Sequence, residues 1–409
     1  MNAAALVLAT AAALLAYTYL GYPLILLLFP RRDRRRAQFV RERWPNISIT
    51  VPIHNEAANL PALLENLLAL EYPGRRQILV VSDASTDGSD AIVMRYADRG
   101  VELLRLPERS GKTAAENAAL PRLTGAIVVN TDASVRIDRD ALPALVSALL
   151  DPEVGLASGC DVSVAFGGGE PNRAEASYVG YEMWVRGLET RAGGIVGASG
   201  CLYAIRADLH RTKVPRRLSR DFSAALIARE HGYRAVSVPA ARCYVPRVAA
   251  LGDEFPRKVR TITRGLATLH HWRQLLNPVR FGRFAWMLWS HKVCRWLVPW
   301  AAALGIGATA TAAVGGAGWA EALSGMAAAG FGLAALGWWW PAGRRAPRVA
   351  AAAAYLVAGN VAVLLATLRA VRQRGAATWE PTRRPVSPPA AATEHHRGRA
   401  NHDLEVLPR

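Results

Sequence analysis

The chain has 409 residues, 51% of them hydrophobic, and its 50 Lys and Arg against 32 Asp and Glu give a formal net charge of +18. That length exceeds one ordinary soluble domain. The basic residues gather beside apolar runs and form no nucleic-acid-binding motif, so the charge points to a membrane surface and to no nucleic acid.

Residues 3–29 carry no charge. As a helix rising ~1.5 Å per residue, such a run is ~40 Å long and crosses a bilayer with tilt. It is too long for the apolar part of a signal peptide and lacks a basic start, so it reads as a retained transmembrane anchor within residues 1–30. RRDRRR at 31–36 opens a basic juxtamembrane linker, 31–45. By the positive-inside rule it places the globular domain after it in the cytoplasm.

From Asn46 the pattern alternates. NISITVP predicts a strand, and Leu60, Leu63, Leu64, Leu67 and Leu68 repeat at helical spacing within 56–71. QILVVS, VELLRLP and AIVVNT predict three more strands, separated by helices over 87–99 and 113–123. Strand and helix in alternation imply a parallel sheet covered on both faces. In such sheets ligands bind beyond the carboxyl ends of the strands. His54, Asn55, Glu56, Asp83 and Asp132 all fall at those ends.

The next stretch is less regular. Gly167 to Gly169 mark a loop, 173–191 a helix, GASGCLYAIR a turn into a short strand, 219–230 a helix, and 254–275 a basic amphipathic helix. The sequence thus divides into a globular domain over 46–250 and amphipathic, interfacial helices over 251–295. In VRFGRFAWMLWSHKVCR, residues 279–295, aromatic and basic residues interleave as at a membrane surface.

Three more apolar runs lie within 296–370: Trp296–Gly318, Ala322–Trp340 and Val349–Leu368. Trp338 to Trp340 read as interfacial aromatics, with Arg344, Arg345 and Arg348 beyond them. Four spans put the N-terminus outside and the loop 341–348 inside. They also put the Arg-rich tail outside, against the charge rule, so either one run does not span or the tail breaks the rule. The tail, 371–409, is too poor in apolar residues to pack and reads as disordered. Cys160, Cys201, Cys243 and Cys294 show no metal-ligand spacing and read as reduced, packed thiols.

The order PIHNE, VVSDASTDGS, GKTAAENAAL, VVNTDAS, SRDFS and RKVRT over about residues 46–270 resembles the family 2 glycosyltransferases. The resemblance implies an α/β, Rossmann-like glycosyltransferase A-type domain with a mixed sheet, flanked by transmembrane helices. It further implies inverting transfer of one sugar from a nucleoside-diphosphate sugar, a UDP-sugar, to a membrane-associated lipid or lipid-linked saccharide. Pro52, Glu56, Asp83 and Ser85 match the family's base and ribose contacts, although Ser82 stands where a paired acid is usual. Lys112 and Asn117 match its lysine-containing turn and helix on the donor side.

Asp132 matches the first acid of the family's Asp-x-Asp, but Ser134 replaces the second. Mg²⁺ commonly takes one or two carboxylates, with phosphate and water completing its shell. Asp132 and Ser134 therefore imply a substrate-assisted site for a divalent cation, Mg²⁺ or Mn²⁺. Asp221 matches the catalytic base, with Arg220 in place of a glutamate. Arg257, Arg260 and Arg264 recur on one helix face and match the cations that receive the leaving diphosphate. Thr261 stands where chain-elongating members carry tryptophan. Gly200 lies in a segment that lines the acceptor side. Two other readings stay open: a processive polysaccharide synthase and a non-catalytic nucleotide-sugar-binding membrane subunit. The enzyme reading requires Asp83, Asp132 and Asp221 to converge on one donor.

Overall fold

The computed structural model describes residues 3–30, 44–164, 173–246, 251–341 and 346–372. The basic run 31–36, the glycines 167–169, Arg344, Arg345 and the tail beyond 372 lie outside these.

The uncharged N-terminus forms α1 (Ala3–Ala16) and α2 (Tyr22–Leu27), joined by a π turn over Tyr17–Gly21. The globular part begins with β1 (Ile47–Ile53), buried along its whole length, as suits a strand covered on both faces. In α3 (Leu60–Leu68) the predicted leucine spacing buries Leu60, Leu63, Leu64 and Leu67 against the sheet. Then come β2 (Arg76–Ser82), α4 (Ser89–Met94), β3 (Val101–Arg105), α5 (Lys112–Ala119) and β4 (Ile127–Thr131). After them run β5 (Arg136–Ile137), α6 (Ala141–Leu149), β6 (Val154–Val164) and α7 (Arg173–Ala192). β7 (Leu202–Arg206), α8 (Ala207–His210), α9 (Arg220–Glu230) and β8 (Arg234–Pro246) complete the domain.

The sheet order is β3-β2-β1-β4-β7-β6-β8-β5. The first four strands in that order are parallel, as the alternation predicted. β7 enters antiparallel to both β4 and β6, so the whole sheet is mixed. β1 lies between β2 and β4, where the strand order reverses, and the crevice beyond that reversal is where an open α/β sheet binds ligands.

The amphipathic α10 (Leu251–His271) is next in the chain. α11 (Pro278–Leu288) kinks at Gly282 and passes through a second π turn, Trp289–Cys294, into α12 (Arg295–Val314). The interfacial segment expected at 279–295 is thus continuous with the helix behind it. α13 (Gly318–Trp338) and α14 (Arg348–Val371) complete the fold. Four helices among the described residues are long and apolar enough to cross a membrane: 3–27, 278–314, 318–338 and 348–371.

The domain and the long apolar helices share polar as well as apolar contacts. The two π turns meet where the Tyr17 hydroxyl lies 2.7 Å from Ser290 Oγ. His291 bridges two buried carboxylates of α7, with Nε2 2.8 Å from Glu182 and Nδ1 2.5 Å from Glu189. The Tyr22 hydroxyl donates to Glu189 at 2.6 Å, and Arg295 Nη1 to Glu182 at 2.6 Å. Burial opposes both carboxylate charges, but His291 outweighs it, helped by Arg295 and Lys292 at Glu182 and by the Tyr22 hydroxyl at Glu189, and both stay below the usual range. On the other side, Val259 of α10 packs on Ala362 and Ala366 of α14.

Candidate active site

A cleft of about 270 Å³ opens beyond the carboxyl ends of β1 and β4. Glu56, Lys112, Asp132, Ser134, Gly200, Asp221, Arg257, Arg260 and Arg264 line it. Residues from six separate stretches of the chain therefore face one space. Pro52, Asp83, Ser85 and Asn117 do not line it, and their bonding explains why.

Asp83 is 1% exposed. Its Oδ1 accepts the Ser110 N–H at 2.6 Å and its Oδ2 the Gly111 N–H at 2.8 Å. The carboxylate thereby fixes the turn that launches α5, where Gly111 has φ +91° and Lys112 is the first helical residue. Pro52 is buried within β1, opposite Val81. Ser85 Oγ accepts the Asn55 N–H at 3.1 Å. The amide of Asn117 donates to Val214 O at 2.7 Å and accepts from Arg220 Nη1 at 2.6 Å. These four residues stand behind the cleft and hold its walls. Of the three acids expected to converge on one donor, only Asp132 and Asp221 therefore share this space, and Asp83 lies behind it.

The ends of β1 and β2 are also strained. Asn55 and Ala84 both have φ +53°, a left-handed conformation that asparagine tolerates and alanine resists by about 1–2 kcal/mol. They persist because the two strand ends are tied together: His54 Nδ1 lies 2.7 Å from Asp83 O, and Asn55 Oδ1 accepts the Thr86 N–H at 2.8 Å. Such conformations concentrate at ligand sites.

Inside the cleft Lys112 Nζ donates to Asp132 Oδ1 at 2.5 Å and reaches Gly200 O at 3.5 Å. Burial opposes its charge, but Asp132, Glu116 and Asp221 outweigh that and raise its pKa, so the ammonium stays protonated. Glu116, 1% exposed beneath it, is pushed up by burial, with Lys112 and Arg220 opposing. Asp221, in the first turn of α9, accepts a short hydrogen bond from the Ser219 hydroxyl. A Cβ at Gly200 would lie 2.9 Å from Asp221 Oδ2, so glycine lets the backbone pass close to this carboxylate. The three arginines differ. Arg257 pairs with buried Glu254, its Nε 2.7 Å from Oε2. Arg264 Nη2 donates to Leu218 O at 2.5 Å and Thr113 Oγ1 at 2.6 Å, and burial lowers its pKa.

Two participants escaped the motif reading. Asp161 of β6 lines the cleft and accepts the Ser199 hydroxyl at 2.6 Å; its signal was a carboxylate inside an otherwise uncharged strand. Arg220, noted only as a departure from the motif, is 4% exposed and ties Asn117 to His210 O, 2.6 Å from Nη2.

Among the described residues no group of three His, Cys, Asp or Glu could hold a metal ion. Asp132 and Ser134 nevertheless face the same space, and Asp132 keeps 26% of its side chain exposed. One carboxylate and one hydroxyl fit a cation whose remaining ligands arrive as diphosphate oxygens and water.

Residues 48–212 match the family model for glycosyl transferase family 2. An N-acetylglucosaminyltransferase of Rhizobium sp. (strain N33) is 31% identical over 153 residues, 36% of this chain and 34% of that protein. A beta-monoglucosyldiacylglycerol synthase of Nostoc sp. (strain PCC 7120) is 28% identical over 187 residues, 44% of this chain and 39% of that one. The matches thus span about a third of these curated relatives' lengths. The mannosyltransferase PcManGT from Pyrobaculum calidifontis, solved in complex with GDP-Man and Mn²⁺, aligns with 90% of this chain and 99% of its own. The TM-score is 0.68 at 25% identity.

Proposed function

As the chain belongs to glycosyltransferase family 2 through residues 48–212, we propose that it is a membrane-bound inverting glycosyltransferase. It takes a sugar from a nucleoside-diphosphate sugar, a UDP-sugar, and passes it to a lipid or lipid-linked saccharide at the cytoplasmic face of the plasma (inner) membrane. One observation carries the reading: the cleft that joins Asp132, Lys112, Asp221 and the α10 arginines opens into a cavity lined by candidate spans. The Nostoc relative, named for a diacylglycerol product, supports a lipid acceptor.

In this reading the acceptor hydroxyl attacks the anomeric carbon from the face opposite the diphosphate. The new carbon–oxygen bond forms as the carbon–oxygen bond to the diphosphate breaks, and the nucleoside diphosphate leaves with the electron pair. The hydroxyl proton passes to the Asp221 carboxylate. Arg257 and Arg260 receive the charge that develops on the leaving group. Arg264 and Lys112 hold the walls on which that charge is met. A divalent cation, Mg²⁺ or Mn²⁺, when bound by Asp132 and Ser134, neutralises part of the diphosphate charge. Glu56 faces the donor directly, with Pro52, Asp83, Ser85 and Asn117 shaping the donor side from behind. Gly200 sits on the acceptor side of the base.

The test is nucleoside diphosphate release by the purified full chain from a panel of UDP- and GDP-sugars, with and without membrane lipid extract and EDTA. Release from one donor, requiring the extract and stopped by EDTA, is expected. Undiminished turnover in EDTA removes the cation from the proposal. Donor binding without release from any sugar makes the chain a non-catalytic subunit.

A further inference from the structure

A second cavity, about 500 Å³, shares Asp161, Ser219, Asp221, Arg257 and Thr261 with the catalytic cleft. It therefore begins at the proposed base. Its far walls come from α7 and from α12 and α14, two of the candidate spans. Those walls divide by chemistry. Trp296, Pro299, Leu356 and Val363 give an apolar side, while Arg186, Lys292 and Arg295 bring positive charge.

Buried cations are unfavourable unless they are paired, and here the pairing among the described residues is incomplete. Arg295 is 9% exposed and gives Nη1 to Glu182, but its Nε and Nη2 are buried with no hydrogen-bond partner among those residues. Arg186 is also 9% exposed. Its Nε stands 3.5 Å from Glu182, beyond good hydrogen-bond geometry, and Nε and Nη1 have no hydrogen-bond partner there either. Lys292 makes no hydrogen bond or ion pair with any described residue. Its Nζ lies 5.4 Å from the centroid of the Phe222 ring, next to Asp221 in the chain. The four carboxylates that line it are engaged: Glu182 by His291 and Arg295, Glu254 by Arg257, Asp161 by Ser199, and Asp221 by Ser219. Three cations thus converge on one space with donors to spare, beside an apolar wall.

We propose that this cavity binds the phosphate group of a lipid acceptor, with Lys292 and Arg186 as its principal contacts and Arg295 completing the set. A phosphate offers several anionic acceptor oxygens to donors that a neutral lipid head leaves unpaired. The lipid chain lies along the apolar side formed by α12 and α14. The inference rests on the glycosyltransferase reading and specifies its acceptor.

The full chain in detergent is titrated with farnesyl monophosphate, farnesol and inorganic phosphate, with the thermal midpoint and direct binding as readouts. Farnesyl monophosphate is expected to bind and raise the midpoint, and the other two to do neither. Lys292→Gln and Arg186→Gln each weaken farnesyl monophosphate binding about tenfold, Lys292→Arg restores it, and affinity for nucleoside diphosphate is unchanged. Equal binding of farnesol overturns the phosphate contact. An equal shift by inorganic phosphate alone overturns the lipid. Full affinity in both glutamine variants overturns the site. If Arg186→Gln does not fold, Lys292, which pairs with no described residue, carries the test alone. Nucleoside diphosphate release is measured in parallel. Its absence with every donor in the presence of membrane lipid extract defeats the sugar-transfer reading, whereas release with the extract but no binding of farnesyl monophosphate defeats only this inference.

Discussion

The ends of β2 and β4 carry the same sequence signal, an aspartate where a buried apolar strand meets a polar turn, yet the fold uses the two acids differently. Asp83 is covered by the 110–111 turn, whose two N–H groups take both carboxylate oxygens. Asp132 meets a lysine side chain and stays open to the cleft. A backbone turn locks a carboxylate into the scaffold; a flexible ammonium leaves it exchangeable for another cation. The group that crosses over a strand end decides whether its acid builds the site or acts in it.

The open region should show the largest effects. Asp221→Asn removes the proton acceptor while keeping the size of the side chain. Its turnover is expected to fall about a thousandfold, the scale of lost general-base catalysis, with nucleoside diphosphate affinity unchanged. Near-normal release by this variant would break the assignment. Asp132→Asn comes next, with a loss of about a hundredfold, as when one preorganised electrostatic group is removed. Its residual rate should no longer respond to added Mg²⁺ or Mn²⁺. A variant that still titrates with the cation would place the metal elsewhere.

The same contrast explains what the sequence made legible. The first four strands, the helix faces between them and the four apolar helices arise from local periodicity and from absence of charge, so they are readable without a partner. The sheet beyond β4 is not. β8 runs 13 residues through RAVSVPAARCYVP, with an internal proline, and pairs in parallel with β6 across a register shift. Neither strand alternates cleanly. Motif positions likewise named Asp132, Lys112 and Asp221, but not which acids would be open. That depends on Ser110 folding over Asp83 and on Arg220 reaching Asn117, 103 residues away. The incompletely paired cations at 186, 292 and 295 were equally invisible, because only the packing of α7 against the helices around 291–295 brings them together.

Gly200→Ala tests the close approach between the acceptor-side turn and the base. The added Cβ would stand 2.9 Å from Asp221 Oδ2, and the carboxylate can yield by rotating away from its bond to Ser219. Misplacing a reacting group by a fraction of an ångström lowers turnover without touching donor binding. A tenfold loss in kcat, roughly, with donor KM unchanged is the expected split, and a donor KM that rises instead would move Gly200 to the donor side.

Asp83→Asn should have the smallest effect on catalysis. The amide keeps one acceptor oxygen but turns its NH₂ toward a backbone N–H that still needs a partner. Stability is expected to fall by about 1–3 kcal/mol, the scale of an unsatisfied buried group, seen as a lower thermal midpoint. Although the turn it fixes also aims Lys112, saturating donor should leave turnover within a few-fold of normal once the protein is folded. If the midpoint held while donor KM rose roughly tenfold or more, Asp83 would be touching the nucleotide directly. The two strand-end acids would then differ in which ligand they hold, and no longer in whether they hold one.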